Sequence, residues 1–296
     1  MPIQLCVLCV GFSASFALKI FNRGDAKELQ NKINEIKTSD SYHNKINFSN
    51  NRVEAFGVIQ YFYVMKNSNE IVWPEINASL NEKGFAQIPE VLSKEDCNGL
   101  IGLYPKEELY RNVINMQRYR FGQGEYKYFN YPLPEIVQQL RKEFYKPLST
   151  VANQWATLLG NETTYPENHS DFISLCNKHK QARPTPLILH YQAGGFNTLH
   201  RDLYGEIYFP FQVVFVLSQR GADYDGGELV MTEQLPRAQS KANVIAPNQG
   251  DALIFTTNFR PVKGTRGYYK SRMKHGISEL KWGERFALGI IFHDAL

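Results

Sequence analysis

Two side chains in the stretch TLHRDLYGE (198–206), His200 and Asp202, are of types and spacing able to do chemistry together. In an extended strand, residues i and i+2 point to the same face, so this imidazole and carboxylate can aim at one point. Many metal sites begin in this way. Two ligands do not hold a metal, however, and a third must come from elsewhere in the chain. His275 and His293 are the downstream candidates.

His275 opens the strand-like stretch HGISEL, and Arg285 follows ten residues later across an expected turn at KWGE. In such a hairpin Arg285 lies about four residues further along the sheet, roughly 13 Å from His275. A small dicarboxylate on the metal, plus an arginine side chain, would fill that gap. Residue parity on the last strand agrees with this. Positions 285, 287, 289 and 291 are Arg, Ala, Gly and Ile, while 286, 288, 290 and 292 are Phe, Leu, Ile and Phe. One face is bulky core and the other carries small residues and one charge, which leaves room for a ligand. The plain alternative is that Arg285 is a surface charge near a strand end.

The letters HRDL also open a protein-kinase catalytic loop, which needs Asn five residues after its Asp. That position here is Ile207, no D-F-G or A-P-E follows, and the nearest glycine-rich match, FGQGEYKYF, lacks its third Gly. The kinase reading fails. A second H-x-D, His169 and Asp171, sits at an expected helix start, where i and i+2 diverge, and capping accounts for it better. His293 reads as a C-terminal sheet residue, and His190 as a core residue on the face opposite Tyr191.

The elements that would position these residues divide into helices first and strands second. Helices are expected over 69–83, over 94–103 with a capping box at Ser93 and Asp96, over 134–159 with an interruption at Pro147, and from a Ser170 cap to about 180. GFAQIPEVL (84–92) alternates like a first strand. After Pro184, seven short strands are expected: TPLILHYQ, FPFQVVFVLSQ, GELVMTEQ, ANVIAP, DALIFTT, HGISEL and RFALGIIFHD. The turn signals AGGFN, RGADYDGG, PNQGD and KWGE divide them. Helices followed by many short strands imply an α+β chain whose second half is a sandwich or barrel.

The 296 residues can bury a sizeable core as one large domain or two ordinary ones. Hydrophobic residues at 43% and charged residues at 21% are globular values, and a net charge of +4 is too small to require a polyanionic partner. Four cysteines give no disulfide framework, which suits a reducing compartment. Cys6 and Cys9 lack the second pair of a zinc site, and Cys97 and Cys176 fall in expected helices as small core residues. The apolar first 21 residues are preceded by no Lys or Arg, which argues against a signal peptide. As a membrane span they are marginal, and no stable membrane partner is expected. Residues 22–52 are polar and 53–64 a short β-prone patch. The functional module is therefore expected over 65–296, with 1–64 an accessory segment, helical support at 68–182 and the β core at 185–294.

His200-x-Asp202, then His275 with Arg285 ten further on, resembles the iron(II)- and 2-oxoglutarate-dependent oxygenases. GFAQIPEVLS is similar to the strand and helix that often precede their double-stranded β-helix, and DGGEL (225–229) to a common strand start in them. LILHYQAGGFNTLHRD resembles the tyrosine-to-H-x-D segment of the alkylation-repair demethylases. FGQGEYKYFNYPLP, RPTPLIL, DLYGE, RPVKGTRG and LGIIFHDA together resemble a bacterial oxygenase family assigned to oxidation of nucleic acid, over about residues 68–296. The resemblance implies a double-stranded β-helix core of jelly-roll or cupin type with N-terminal flanking helices. It implies His200, Asp202 and His275 as catalytic Fe(II) ligands, and Arg285 and Tyr191 as residues that bind 2-oxoglutarate. It further implies O2 as oxidant, succinate and CO2 as products, and cytoplasmic localisation. Relatives that halogenate lack the carboxylate, so Asp202 favours hydroxylation.

The substrate is less legible. Residues 260–274, RPVKGTRGYYKSRMK, hold six Lys or Arg, two tyrosines and no acidic residue, and run into His275. Cations for phosphates and rings for bases are how single-stranded nucleic acid is often held. The sequence leaves three functions open: oxidative demethylation of nucleic acid, the same chemistry on a protein side chain or small metabolite, and a non-catalytic metal-binding β-barrel module. EYKYF (125–129) has the look of a lid on the substrate side, with nothing in the sequence to fix its position.

Overall fold

A computed structural model describes residues 71–202 and 205–296. The N-terminal expectations, including Cys6, Cys9 and a module boundary near Met65, lie outside the described residues. Within them run four helices, α1 (Trp73–Lys83), α2 (Lys94–Ile101), α3 (Glu135–Leu158) and α4 (His169–Lys178). The early strands are β1 (Phe85–Ile88), β2 (Tyr110–Asn115), β3 (Gly122–Gln123) and β4 (Glu125–Phe129). Then come β5 (Leu187–Gln192), β6 (Phe196–His200), β7 (Phe211–Val216), β8 (Tyr224–Gly226) and β9 (Leu229–Gln234). The last are β10 (Ser240–Ile245), β11 (Ala252–Thr256), β12 (Phe259–Gly264), β13 (Gly267–Ile277) and β14 (Leu280–Ile291).

The strands form two sheets, β1-β11-β7-β14-β5-β4-β2 with β8 beside β14, and β10-β9-β13-β6-β3 with β12 beside β13. Every ladder between named strands is antiparallel. The α+β architecture expected from the sequence is therefore present. Period-2 alternation divides the large sheet into two faces. Phe211, Val213 and Phe215 of β7, with Leu288 and Ile290 of β14 and the following Phe292, pack against helix residues such as Leu80, Leu140, Phe144 and Phe172. The opposite face, with Gln212, Val214, Arg285, Ala287, Gly289 and Ile291, lines a cavity against the small sheet. A second core of Leu229, Met231, Leu253, Phe255 and Met273 joins the sheets beside that cavity.

Local signals explain most helix ends. The capping box is formed as the sequence requires, with Ser93 Oγ accepting from the Asp96 amide at 3.0 Å and Asp96 Oδ2 accepting from the Ser93 amide at 3.2 Å. α4 starts two residues earlier than expected, with Asn168 rather than Ser170 as its N-cap. The expected break at Pro147 is absent, and α3 runs through it for 24 residues. A proline inside a helix costs about 3 kcal/mol. Six buried side chains around it, Phe144, Tyr145, Leu148, Val151, Ala152 and Trp155, outweigh that, since each large one contributes about 1.5–3 kcal/mol.

The C-terminal hairpin is a correction. HGISEL is not a separate strand: His275 lies near the end of β13, which begins at Gly267, and KWGE lies inside β14, paired with β8. The turn signal there is Gly283, whose φ of +81° puts a would-be Cβ 2.0 Å from the Asp223 carbonyl. Only glycine fits that irregularity within the strand. β13 and β14 consequently belong to different sheets.

Candidate active site

β6 and β13 pair so that His200 lies directly opposite His275, with ring centroids 4.3 Å apart. The chain leaves β6 at His200, and the Asp202 amide bonds to the Thr257 carbonyl at 3.3 Å. That turns the Asp202 carboxylate back between the two rings: Oδ1 lies 3.4 Å from His200 Nε2, and Oδ2 3.2 Å from His275 Nε2. The three ligand atoms fall within 4.8 Å of one another, the one such group among the described residues. His200 Nδ1 meets its partner, the Thr198 carbonyl, at 2.7 Å, which assigns the proton to Nδ1 and leaves the Nε2 lone pair facing inward. Burial, and then His275, hold the His200 pKa below the ordinary histidine value against the pull of Asp202, favouring the neutral, ligating form.

Arg285 faces this group from the other sheet rather than along a shared hairpin. It is 2% exposed, its Nε has no hydrogen-bond partner, and no carboxylate pairs with it among the described residues. Tyr191 and Tyr224 hold its guanidinium, each ring centroid 5.9 Å away. An uncompensated buried cation is costly, so this position calls for an anion. Gly227 of the DGGEL stretch makes room for it: a Cβ there would lie 3.1 Å from Arg285 Cδ. Tyr191, opposite Arg285 in the β5–β14 ladder, also points a buried hydroxyl at the cavity without a hydrogen-bond partner of acceptable geometry, although Asn197 lies close enough to influence its proton. Burial pushes its pKa up to about 12, so it stays a donor.

The cavity has a volume of about 290 Å³, and all five sequence-predicted site residues line it. The parity argument on β14 holds side chain by side chain, whereas the hairpin used to connect His275 to Arg285 does not. Gln212 was missed. Its Nε2 donates to Asp202 Oδ2 and fixes the carboxylate. The available signal was one amide inside the apolar run FPFQVVFV. EYKYF is no lid but strand β4, between β5 and β2, and its Tyr126 and Tyr128 line the cavity.

His169, His190 and His293 serve the fold. His169 does not cap: it is buried at the first turn of α4, with Nε2 2.9 Å from the Phe292 carbonyl. His293 accepts the Phe209 amide on Nδ1 at 3.2 Å, and His190 stacks on Phe286 at 4.2 Å. The basic stretch 260–274 is a β-ribbon formed by β12 and β13. Arg260 is taken by an ion pair with Glu233 at 2.8 Å. Tyr268, Lys270, Arg272 and Lys274 are exposed on the face of β13 opposite His275, away from the cavity.

Two imidazoles and a carboxylate on one side, and an unpaired guanidinium on the other, define a metal site that also takes an anion. A family model described as "Oxygenase, catalysing oxidative methylation of damaged DNA" matches residues 124–295, more than half of the chain, so the chain belongs to this oxygenase family and is an oxidoreductase. Two uncharacterized proteins of Mycobacterium tuberculosis, from strains CDC 1551 / Oshkosh and ATCC 25618 / H37Rv, are each 42% identical over 167 residues, 56% of this chain and 72% of theirs. Among solved structures, a prolyl-4-hydroxylase from Pseudomonas putida aligns with a TM-score of 0.48 and 14% identity, over 76% of this chain and 100% of the other. An oxidoreductase of the 2OG-Fe(II) oxygenase family from Burkholderia pseudomallei aligns at 0.47 and 15%, over 76% and 94%.

Proposed function

We propose that the chain is an Fe(II)- and 2-oxoglutarate-dependent dioxygenase that hydroxylates nucleic acid, including oxidative removal of a methyl group from a base. The observation that carries this is Arg285, buried without a carboxylate partner and facing His200, Asp202 and His275 across one cavity. The strand order supports it. Numbering β5, β6, β7, β9, β10, β11, β13 and β14 as one to eight gives 1-8-3-6 facing 2-7-4-5, the double-stranded β-helix of jelly-roll folds.

Two imidazole nitrogens and one carboxylate oxygen suit iron(II) with open positions. His200, Asp202 and His275 would hold it, with Gln212 and the Thr198 carbonyl orienting the ligands, and the Arg285 fork would receive the far carboxylate of 2-oxoglutarate. Tyr191 would donate a hydrogen bond from its hydroxyl to the same cosubstrate. When bound, iron with 2-oxoglutarate and O2 supplies the oxidising power for hydroxylation, with succinate and CO2 released. Ala287 and Gly289 leave space beside Arg285, and the tyrosines of β4 wall the cavity from solvent. A target base must be unpaired or flipped to reach it. The family's link to damaged DNA supports nucleic acid as the substrate, and the outward cations of β13 suit the phosphates of a flanking strand rather than the reacting base. Fe(II) and 2-oxoglutarate being intracellular reagents, the reaction belongs in the cytoplasm, with residues 65–296 as the working module.

The test is anaerobic addition of Fe(II) and 2-oxoglutarate to the purified protein. The weak visible charge-transfer band of the chelate is expected, and it is lost in Asp202→Ala and Arg285→Ala. A protein that shows no band and retains zinc tightly would remove the oxygenase reading.

A further inference from the structure

Beside the cavity mouth, the stretch Met116–Gly124 reads MQRYRFGQG, with two arginines, two aromatics and no acidic residue. All of it but Gly124 lies outside the residues matched by the family model, which start at 124. Tyr119 is 56% and Phe121 45% exposed, two of the five aromatic side chains that the described residues leave largely in water. Their rings stack on each other, centroids 5.6 Å apart at 19°. Arg118 and Arg120 are exposed on either side of Tyr119. Phe121 itself lines the cavity, as does Arg201.

The segment is held firmly. Met116 is fully buried beneath it, and the Phe121 amide bonds to the Met116 carbonyl at 3.0 Å. Arg120 adopts φ +60°, a conformation that a non-glycine residue keeps only where its surroundings dictate it. Gly122 lies against β6 so closely that a Cβ would fall 2.2 Å from the Phe196 carbonyl. The Phe121 carbonyl accepts both the amide and the hydroxyl of Thr198, at 2.8 and 2.9 Å. Thr198 is also the residue whose carbonyl orients His200. The exposed rings are thus fixed to the strand that carries a metal ligand.

We propose that Tyr119 and Phe121 form a stacking platform for an unpaired base next to the target base, with Arg118 and Arg120 holding the adjoining phosphates. Rigid aromatic faces interleaved with cations are the elements by which single strands are bound with little sequence preference. The inference rests on the nucleic-acid reading of the cavity and names the residues that seat the strand.

The test uses the full-length protein and short single-stranded DNA, with matched RNA as a second probe and an oligonucleotide carrying abasic spacers as a third. Affinity is measured at several salt concentrations. Tyr119→Ala and Phe121→Ala are each expected to weaken DNA binding about 5- to 100-fold at an unchanged salt slope. Replacing both Arg118 and Arg120 by Gln is expected to lower the salt slope by about 0.7 for each phosphate no longer neutralised. Phe121→Trp is expected to bind as the parent does, its fluorescence being quenched by DNA but not by the abasic strand. The iron and 2-oxoglutarate band of Tyr119→Ala reports that the site is still formed. Parent binding with no loss in either alanine variant, or no quenching in Phe121→Trp, overturns the platform while leaving the nucleic-acid reading in place. A parent that forms the band yet binds no DNA or RNA strand overturns both.

Discussion

Arg285 is the residue whose surroundings say most. Its place on the open face of β14 was legible because strand parity is a local property that survives any error of topology. Its distance from His275 was not, since that depends on which strands pair, a long-range outcome that a glycine in KWGE concealed. A buried guanidinium without a carboxylate destabilises the ligand-free fold; even a buried ion pair can often be replaced by apolar side chains of similar volume at no cost or with a gain of about 1–4 kcal/mol, and an unpaired charge has no partner to lose. Arg285→Met is therefore expected to raise the melting temperature of the ligand-free protein while its affinity for 2-oxoglutarate falls at least tenfold. A variant that melts lower and still binds 2-oxoglutarate would mean that Arg285 serves packing alone. Gln212 illustrates the opposite limit of sequence reading: one amide in an apolar strand names no partner until the fold brings Asp202 to it.

At the scale of elements, seven strands were expected after Pro184 and six of them formed, HGISEL being divided between β13 and β14; the segments that escaped were those with mixed polarity or little length. β2, β3, β4, β6 and the β12–β13 ribbon all carry charged, polar or glycine residues where an alternating apolar pattern would have marked them. The short turn after β8 has a more specific task. Gly226 and Gly227 both take positive φ, and a Cβ on Gly227 would meet Leu280 Cδ1 at 2.5 Å and Arg285 Cδ at 3.1 Å. Gly227→Ala is expected to push Leu280 and Arg285 aside, weakening 2-oxoglutarate binding several-fold with little change in metal affinity. Titration with Co(II), and then with 2-oxoglutarate, separates the two. Equal losses in both would show that the turn supports the whole cavity rather than the arginine.

On the scale of the whole molecule, helices cover the outer face of the large sheet and bury two histidines that never meet the site. Burial, reinforced by Arg141, lowers the pKa of His169 to about 3 and that of His293 to about 4. Both are neutral in the folded protein and take up protons near pH 6.5 once unfolded. The unfolded state thus binds more protons below that pH. The stability they confer is complete above pH 6.5 and is lost as pH falls toward 4 and then 3, at up to about 1.4 kcal/mol per pH unit for each histidine. Denaturant melts between pH 7.5 and 4.5 should record this decline, and His169→Gln should flatten it. A variant with the parent's full pH dependence would refute the assignment. Neither histidine could be recognised from sequence as a buried neutral group, because nothing near them in the chain announces the helix that covers them.

The unpaired arginine also reaches beyond the site. A ligand that binds only the folded protein stabilises it by RT ln(1 + [L]/Kd), about 2.7 kcal/mol when free ligand stands at a hundred times Kd. On the proposed reading that ligand is 2-oxoglutarate. A cell poor in it would hold more of this protein transiently unfolded and open to proteolysis. The amount of the enzyme, and not only its turnover, would then rise and fall with the metabolic state of the cell.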